Sequence, residues 1–267
     1  MAYLDTDDGG RVYYEHHRAP GLPVVLIHGW GMSGEYWAST VEALLAEGHG
    51  AIVIDHRGCG RSDRDFADMS IDAIARDVAA IVGRCGMARV VLNGWSLGAA
   101  VAVAGAGLLR QGVAGLVLTC GASPRYVQGE GFPHGGTAED VLGISNAITA
   151  DRPGFFRALA ESASGEGASE ALIAWVERGF LGSGPRASET LAGLASLDQR
   201  DLLASFGFPV LSIGGAKDGI ADPAIAAFAA NCARNGTLLT LDSGHSPHLE
   251  MPAAYNAALL NFVRKLA

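Results

Sequence analysis

The chain reads as an α/β protein: a doubly wound, mostly parallel sheet with a helical cap inserted into it. Three observations predict this. Short continuous apolar runs recur along the chain, closed by glycine or a polar residue, as strands covered on both faces are. Helical patterns alternate with those runs, the order expected of a sheet built from βαβ units. The alternation stops between Pro124 and about Ser196 and then resumes. The core is therefore expected in two pieces, 1–123 and 197–267, with 124–196 as the insertion.

Taken in order, residues 2–16 form a β-hairpin. Ala2 to Leu4 and Arg11 to His16 flank the turn-prone Asp7-Asp8-Gly9-Gly10. Pro23-Val24-Val25-Leu26-Ile27-His28-Gly29 is a buried strand. Ser33 reads as the N-cap of a helix from about Glu35 to Glu47. Ala51 to Asp55 is the next strand and runs into a glycine-rich turn, Arg57 to Asp63. Apolar positions at Ile71, Ile74, Val78, Ile81 and Val82 predict a helix over 71–82. The β-branched run from Val90 leads into Gly94-Trp95-Ser96-Leu97-Gly98, and a small-residue helix follows from Ala99 to Leu109. Val113 to Thr119 is a further strand. Inside the insertion two helical pieces are legible, Pro153 to Ser162 and Ala168 to Phe180. Beyond it come a strand over 208–214, a helix over 223–233, a strand over 237–241 and a last helix from about Ala253 to Leu266.

Composition narrows the function. With 267 residues, 49% hydrophobic and 18% charged, the chain can bury a large core and is not disordered. A formal net charge of −9 without a basic stripe argues against nucleic acid and anionic membrane surfaces as partners. No apolar run is long enough for a membrane span. The acidic start, Met1 to Asp8, lacks the basic and apolar segments of a signal peptide. Cys59, Cys85, Cys120 and Cys232 have no metal-ligand spacing and read as reduced thiols. A cytoplasmic location is the expectation.

In open α/β sheets reactive groups follow the carboxyl ends of strands, and four groups here do. Ser96 stands at the apex of a strand–turn–helix junction, where Gly94 and Gly98 let the two elements approach closely. Asp218 follows the strand ending at Gly214, and His245 follows the strand ending at Leu241. A serine hydroxyl needs a base to remove its proton, which assigns His245 that role. Asp218 would fix the imidazole tautomer. The fourth group is His28-Gly29-Trp30-Gly31, whose Trp30 backbone N–H, with that of Leu97, can bind a developing oxyanion. His28 itself reads as a structural residue bonded to loop backbone. His248 competes with His245 but lies further from the strand end. Asp222 competes with Asp218, but it directly precedes Pro223 and reads as a helix N-cap. His16, His17, His49, His56 and His134 read as surface or loop residues, and eight histidines without close pairing make no metal site.

At these residues the chain resembles the α/β-hydrolase family over essentially its full length. The closest likeness is to the carboxylesterases that demethylate pimeloyl-carrier-protein methyl ester. It rests on Leu26 to Met32, Asn93 to Gly98, Ala122-Ser123-Pro124-Arg125 and Asp218-Gly219-Ile220. The resemblance implies the α/β-hydrolase fold and an esterase acting on a short linear acyl chain, with an acidic carrier protein docked on cap arginines. Residues 124–196 hold five arginines against nine acids, a net −4 that works against an acidic carrier.

The expected activity is cleavage of a small carboxylic ester through an acyl-enzyme, without cofactor or metal. Trp95 and the insertion residues Phe155, Phe156, Leu159 and Trp175 are expected to line an apolar substrate pocket. The same triad also serves lactone hydrolases, C–C bond hydrolases and lyases, or a ligand receptor with low turnover. Product analysis separates the first three, and turnover number the last.

Overall fold

The computed structural model describes residues 1–266. The strands are β1 (Ala2–Asp5), β2 (Arg11–His17), β3 (Gly21–Ile27), β4 (His49–Ile54), β5 (Val90–Trp95), β6 (Val113–Thr119), β7 (Val210–Gly215) and β8 (Gly236–Leu241). They form one sheet in the order β1-β2-β4-β3-β5-β6-β7-β8. The pairs β1–β2 and β2–β4 are antiparallel, and every later pair is parallel. β4 lies on one side of β3 and β5 on the other, so the winding reverses at β3 and β5. That reversal opens a crevice at their carboxyl ends.

Helices cover the sheet: α1 (Ala38–Ala46), α2 (Ile71–Arg84), α3 (Leu97–Leu109), α4 (Ala138–Ala150), α5 (Arg152–Ala163), α6 (Glu170–Leu181), α7 (Ala187–Ala192), α8 (Arg200–Ser205), α9 (Pro223–Cys232), α10 (Pro247–Glu250) and α11 (Pro252–Arg264). Val24 to Ile27 and Val90 to Leu92 are fully buried, which explains why these strands read as unbroken apolar runs. Helix starts are capped by short polar side chains. Ser70 accepts from Ala73 N–H, Ser169 from Leu172 N–H, and Thr137 forms a capping box with Asp140.

Ser33 departs from expectation, because it makes no side-chain cap bond. The Asp55 carboxylate instead holds the start of the turn: it accepts from Gly34 N–H at 2.6 Å and also from Arg61 N–H at 2.7 Å. A 3₁₀ turn over Gly34–Trp37 results, and α1 begins only at Ala38. His49, expected at the surface or in a loop, instead begins β4, and His56 is in a loop as expected but is not exposed. His56 is buried and stacks on His28 with ring centroids 3.8 Å apart, while buried His49 bonds the Leu22 carbonyl.

Between β6 and β7 lie five α-helices among the described residues, α4 to α8, of which α5 and α6 match the two legible pieces. Several bonds tie this segment to the sheet's carboxyl edge. Trp30 Nε1 donates to Ala187 O, Tyr36 Oη to Trp175 O, and Gly184 N to Gly58 O, each at 2.7 Å. Among the described residues no helix is long and apolar enough to cross a membrane.

Candidate active site

Ser96 joins β5 to α3 with φ 56° and ψ −123°. This is a strained conformation for a non-glycine residue, and the surroundings hold it there. Ser96 N–H donates to Thr119 O at 2.9 Å, and its carbonyl accepts from Ala99 N–H and Ala122 N–H. The flanking glycines are sterically required. A Cβ on Gly94 would collide with the Gly98 carbonyl, and one on Gly98 with the Ile27 carbonyl. The Gly29-Trp30-Gly31 turn lies directly beside the serine, since a Cβ on Gly29 would come within 3.1 Å of Ser96 Cβ.

His245 and Asp218 are brought together. His245 Nδ1 lies 2.8 Å from Asp218 Oδ2, and their side chains are 5% and 1% exposed. Asp218 Oδ1 accepts from Ile220 N–H and Ala221 N–H, at 2.8 and 2.9 Å. The carboxylate is thus anchored by its own turn and presents Oδ2 to the ring. An acceptor at Nδ1 places the proton there and leaves Nε2 as the basic nitrogen. Asp222, by contrast, caps α9 through Ala224 N–H. His248 is fully buried between Trp37 and Trp95, at ring separations of 4.2 and 4.6 Å. Burial, with a smaller contribution from His245, pushes its pKa down to about 3, so it stays neutral.

Further residues hold this geometry that the motifs did not disclose. Trp95 Nε1 donates to the His245 carbonyl at 2.7 Å, and His245 N–H donates to Ala163 O at 2.9 Å. The Glu250 carboxylate accepts three backbone N–H groups: Gly244 at 2.7 Å, Gly165 at 2.9 Å and Ser246 at 3.0 Å. It therefore clamps the loop bearing His245 to the turn after α5. Glu250 lies five residues past His245 on the short α10, with no flanking motif to mark it. His28 Nδ1 donates to Gly29 O at 2.7 Å, and its Nε2 accepts from His56 N–H at 2.9 Å. Burial lowers the pKa of both His28 and His56, so the pair under the Trp30 turn is neutral.

Ser96 and His245 open into one cavity of about 70 Å³. From the sheet edge Trp30, Met32, Trp95, Tyr126 and Ile220 line it. From the overlying segment come Ile144, Phe155, Leu159, Val176, Phe180, Leu191 and Leu194. Phe156 and Trp175, expected in the wall, are not part of it. Consecutive helical residues point about 100° apart, so Phe155 facing the cavity turns Phe156 away, and Val176 does the same to Trp175. Phe156 packs behind the wall on Phe180, and Trp175 stacks on Tyr36. The i, i+4 spacing of Phe155 with Leu159, and of Val176 with Phe180, was the signal available in the sequence.

Among the described residues, one group of three donor side chains lies close enough to hold a metal ion: Cys120, Asp218 and His245, within 4.8 Å of one another. Burial, and next the Asp218 charge, push the Cys120 thiol well above its usual range, so it stays protonated. Within it His245 Nδ1 and Asp218 Oδ2 are bonded to each other. The Cys120 thiol donates to the Gly244 carbonyl at 3.8 Å.

Ser96, at the turn between β5 and α3, and the bonded His245–Asp218 pair lie at the carboxyl edge of a mostly parallel sheet, with Ser96 and His245 lining one cavity. The chain belongs to the alpha/beta hydrolase family, whose model matches residues 24–258. A non-heme haloperoxidase from Rhodococcus erythropolis is 31% identical over 82% of this chain and 83% of its own length. A pimeloyl-[acyl-carrier protein] methyl ester esterase from Stenotrophomonas maltophilia is 32% identical over 92% of this chain and 95% of its own. Among solved structures, an esterase from Exiguobacterium antarcticum superposes with a TM-score of 0.91 at 25% identity, covering 98% of each chain.

Proposed function

We propose that the protein is a serine carboxylesterase acting on small, free carboxylic esters. Ser96 Oγ attacks the ester carbonyl while His245 Nε2 takes its proton. Trp30 and Leu97 backbone N–H groups hold the oxyanion, and Asp218 stabilises the imidazolium. His245 then protonates the leaving alcohol, which leaves an acyl group on Ser96. Water, deprotonated by His245, releases the acid and restores the serine. Residues 124–196 act as a cap over the core formed by 1–123 and 197–267.

The observation that carries this reading is the opening of Ser96 and the Asp218-bonded His245 into the same apolar cavity. The cap's charges support a free ester over a carrier-bound one. Arg125, Arg157, Arg178 and Arg186 are each in ion pairs, and Arg152 bonds Ser183 and lies over the Phe156 ring. The four cysteines are free thiols, which supports a cytoplasmic setting. The haloperoxidase relatives favour one side reaction: hydrogen peroxide in place of water would release the acyl group as a peracid.

The test is initial-rate hydrolysis of p-nitrophenyl esters of increasing acyl length, with Ser96→Ala beside the wild type. Turnover that collapses in Ser96→Ala supports the esterase. No turnover of any ester by folded wild type would overturn it and favour the C–C hydrolase, lyase or receptor roles of this site.

A further inference from the structure

The wall of the Ser96 cavity has a chemical feature that the esterase reading does not require. Among the described residues no lysine, arginine, aspartate or glutamate lines it. Its polar side chains are Ser96, His245 and Tyr126, and the Tyr126 hydroxyl already donates to Ile220 O at 2.9 Å. Burial, and next the Asp218 charge, push the Tyr126 pKa up to about 12, so that hydroxyl stays neutral. Val176, Leu191 and Leu194, all buried, add aliphatic surface to the wall. The nearby guanidiniums of Arg152 and Arg178 are turned elsewhere, to Ser183 and to Glu35.

We propose that this cavity selects esters of uncharged acyl groups and excludes acyl groups carrying a second, free carboxylate. The inference rests on the esterase reading and names its substrate class. A carboxylate on the acyl chain would lose its water among aliphatic and aromatic side chains with no cation and no free donor to replace it. Such a group is strongly disfavoured unless paired. A consequence concerns diesters. Hydrolysis of one ester bond of dimethyl succinate releases methanol and leaves a half-ester whose new carboxylate bars it from the cavity. The enzyme therefore stops after one cleavage.

A matched pair of substrates tests this. Methyl 4-methylpentanoate and monomethyl succinate have nearly the same shape, but only the second is anionic at pH 7.5. The inference expects kcat/KM at least about 100-fold higher for the neutral ester, and accumulation of monomethyl succinate from dimethyl succinate. Rates within threefold of each other, or direct formation of succinate, would overturn it. So would failure to hydrolyse the neutral ester by enzyme that turns over p-nitrophenyl acetate. Loss of p-nitrophenyl acetate turnover would instead overturn the esterase reading, and this inference with it. The variant Ile144→Arg puts a guanidinium at a half-buried position of the cavity wall and should narrow the ratio at least tenfold. An unchanged ratio in that variant would contradict the electrostatic origin.

Discussion

Gly94 carries a prediction that separates steric necessity from mere tolerance of glycine. In Gly94→Ala the new methyl would overlap the Gly98 carbonyl and lie 2.6 Å from the Cα of Ala99, where ordinary contact begins at 3.4 Å. The obstacle is backbone at the start of α3, so no side-chain rotation relieves it, and α3 must retreat by about 0.8 Å or more. Overpacking of this kind costs about 1–3 kcal/mol, which lowers Tm by roughly 3–10 °C in a chain of this size. The displaced elements carry Ser96 and the Leu97 N–H, and a shift near 1 Å in reacting groups costs about 100-fold in rate. Gly143 is the control. It lies inside α4 with nothing within 4 Å of the position a methyl would take, so Gly143→Ala should stabilise by about 0.4–1 kcal/mol. Thermal unfolding and p-nitrophenyl acetate kinetics on both variants read the result. A Gly94→Ala protein with wild-type Tm and kcat, or equal damage from Gly143→Ala, would refute the steric reasoning.

Three further outcomes are expected. Asp218→Asn should keep the fold but lower kcat/KM by roughly 10³–10⁴-fold, and a loss under tenfold would remove Asp218 from the mechanism. Glu250→Ala leaves three backbone N–H groups without their acceptor, which should cost about 2–4 kcal/mol and lower kcat more than KM changes; denaturant titration beside steady-state kinetics checks both, and an unchanged kcat would show that the clamp does not position His245. His28, His56 and His248 are buried with depressed pKa values, so the unfolded chain binds more protons than the folded one. Their stabilisation is complete above pH 6.5 and is lost as pH falls, for His248 down to about 3, at about 1.4 kcal/mol per pH unit for each ring. His248→Phe should flatten the slope of stability against pH by one proton, and an identical slope would count against this account.

The legible parts of the sequence were those where one local force dominates. Strands buried on both faces read directly as apolar runs, and β6 was placed to the residue. The turn at Ser96 was legible because two glycines are obligatory there. The insertion was less so. α4 buries only Val141 and Ile148, and α7 is six residues long, so neither imposes a strong period. Ser33 precedes a short 3₁₀ turn in which the Tyr36 N–H goes to the Ser33 backbone carbonyl, while Asp55, a distant residue, holds the first N–H, that of Gly34. Glu250 reaches Gly165 N–H and Tyr126 reaches the Ile220 carbonyl, backbone groups far away in sequence, and a contact of that kind leaves no spacing to read. Phe156 and Trp175 were misplaced because residue type was weighed above helical phase.

The most direct test of the account is the mass of the protein after reaction with a fluorophosphonate, with the modified peptide identified by tandem mass spectrometry. The account predicts a single adduct on Ser96, formed in step with loss of ester hydrolysis and absent from Ser96→Ala. Full inactivation with the adduct on another residue, or ester turnover that persists in Ser96→Ala, would contradict it.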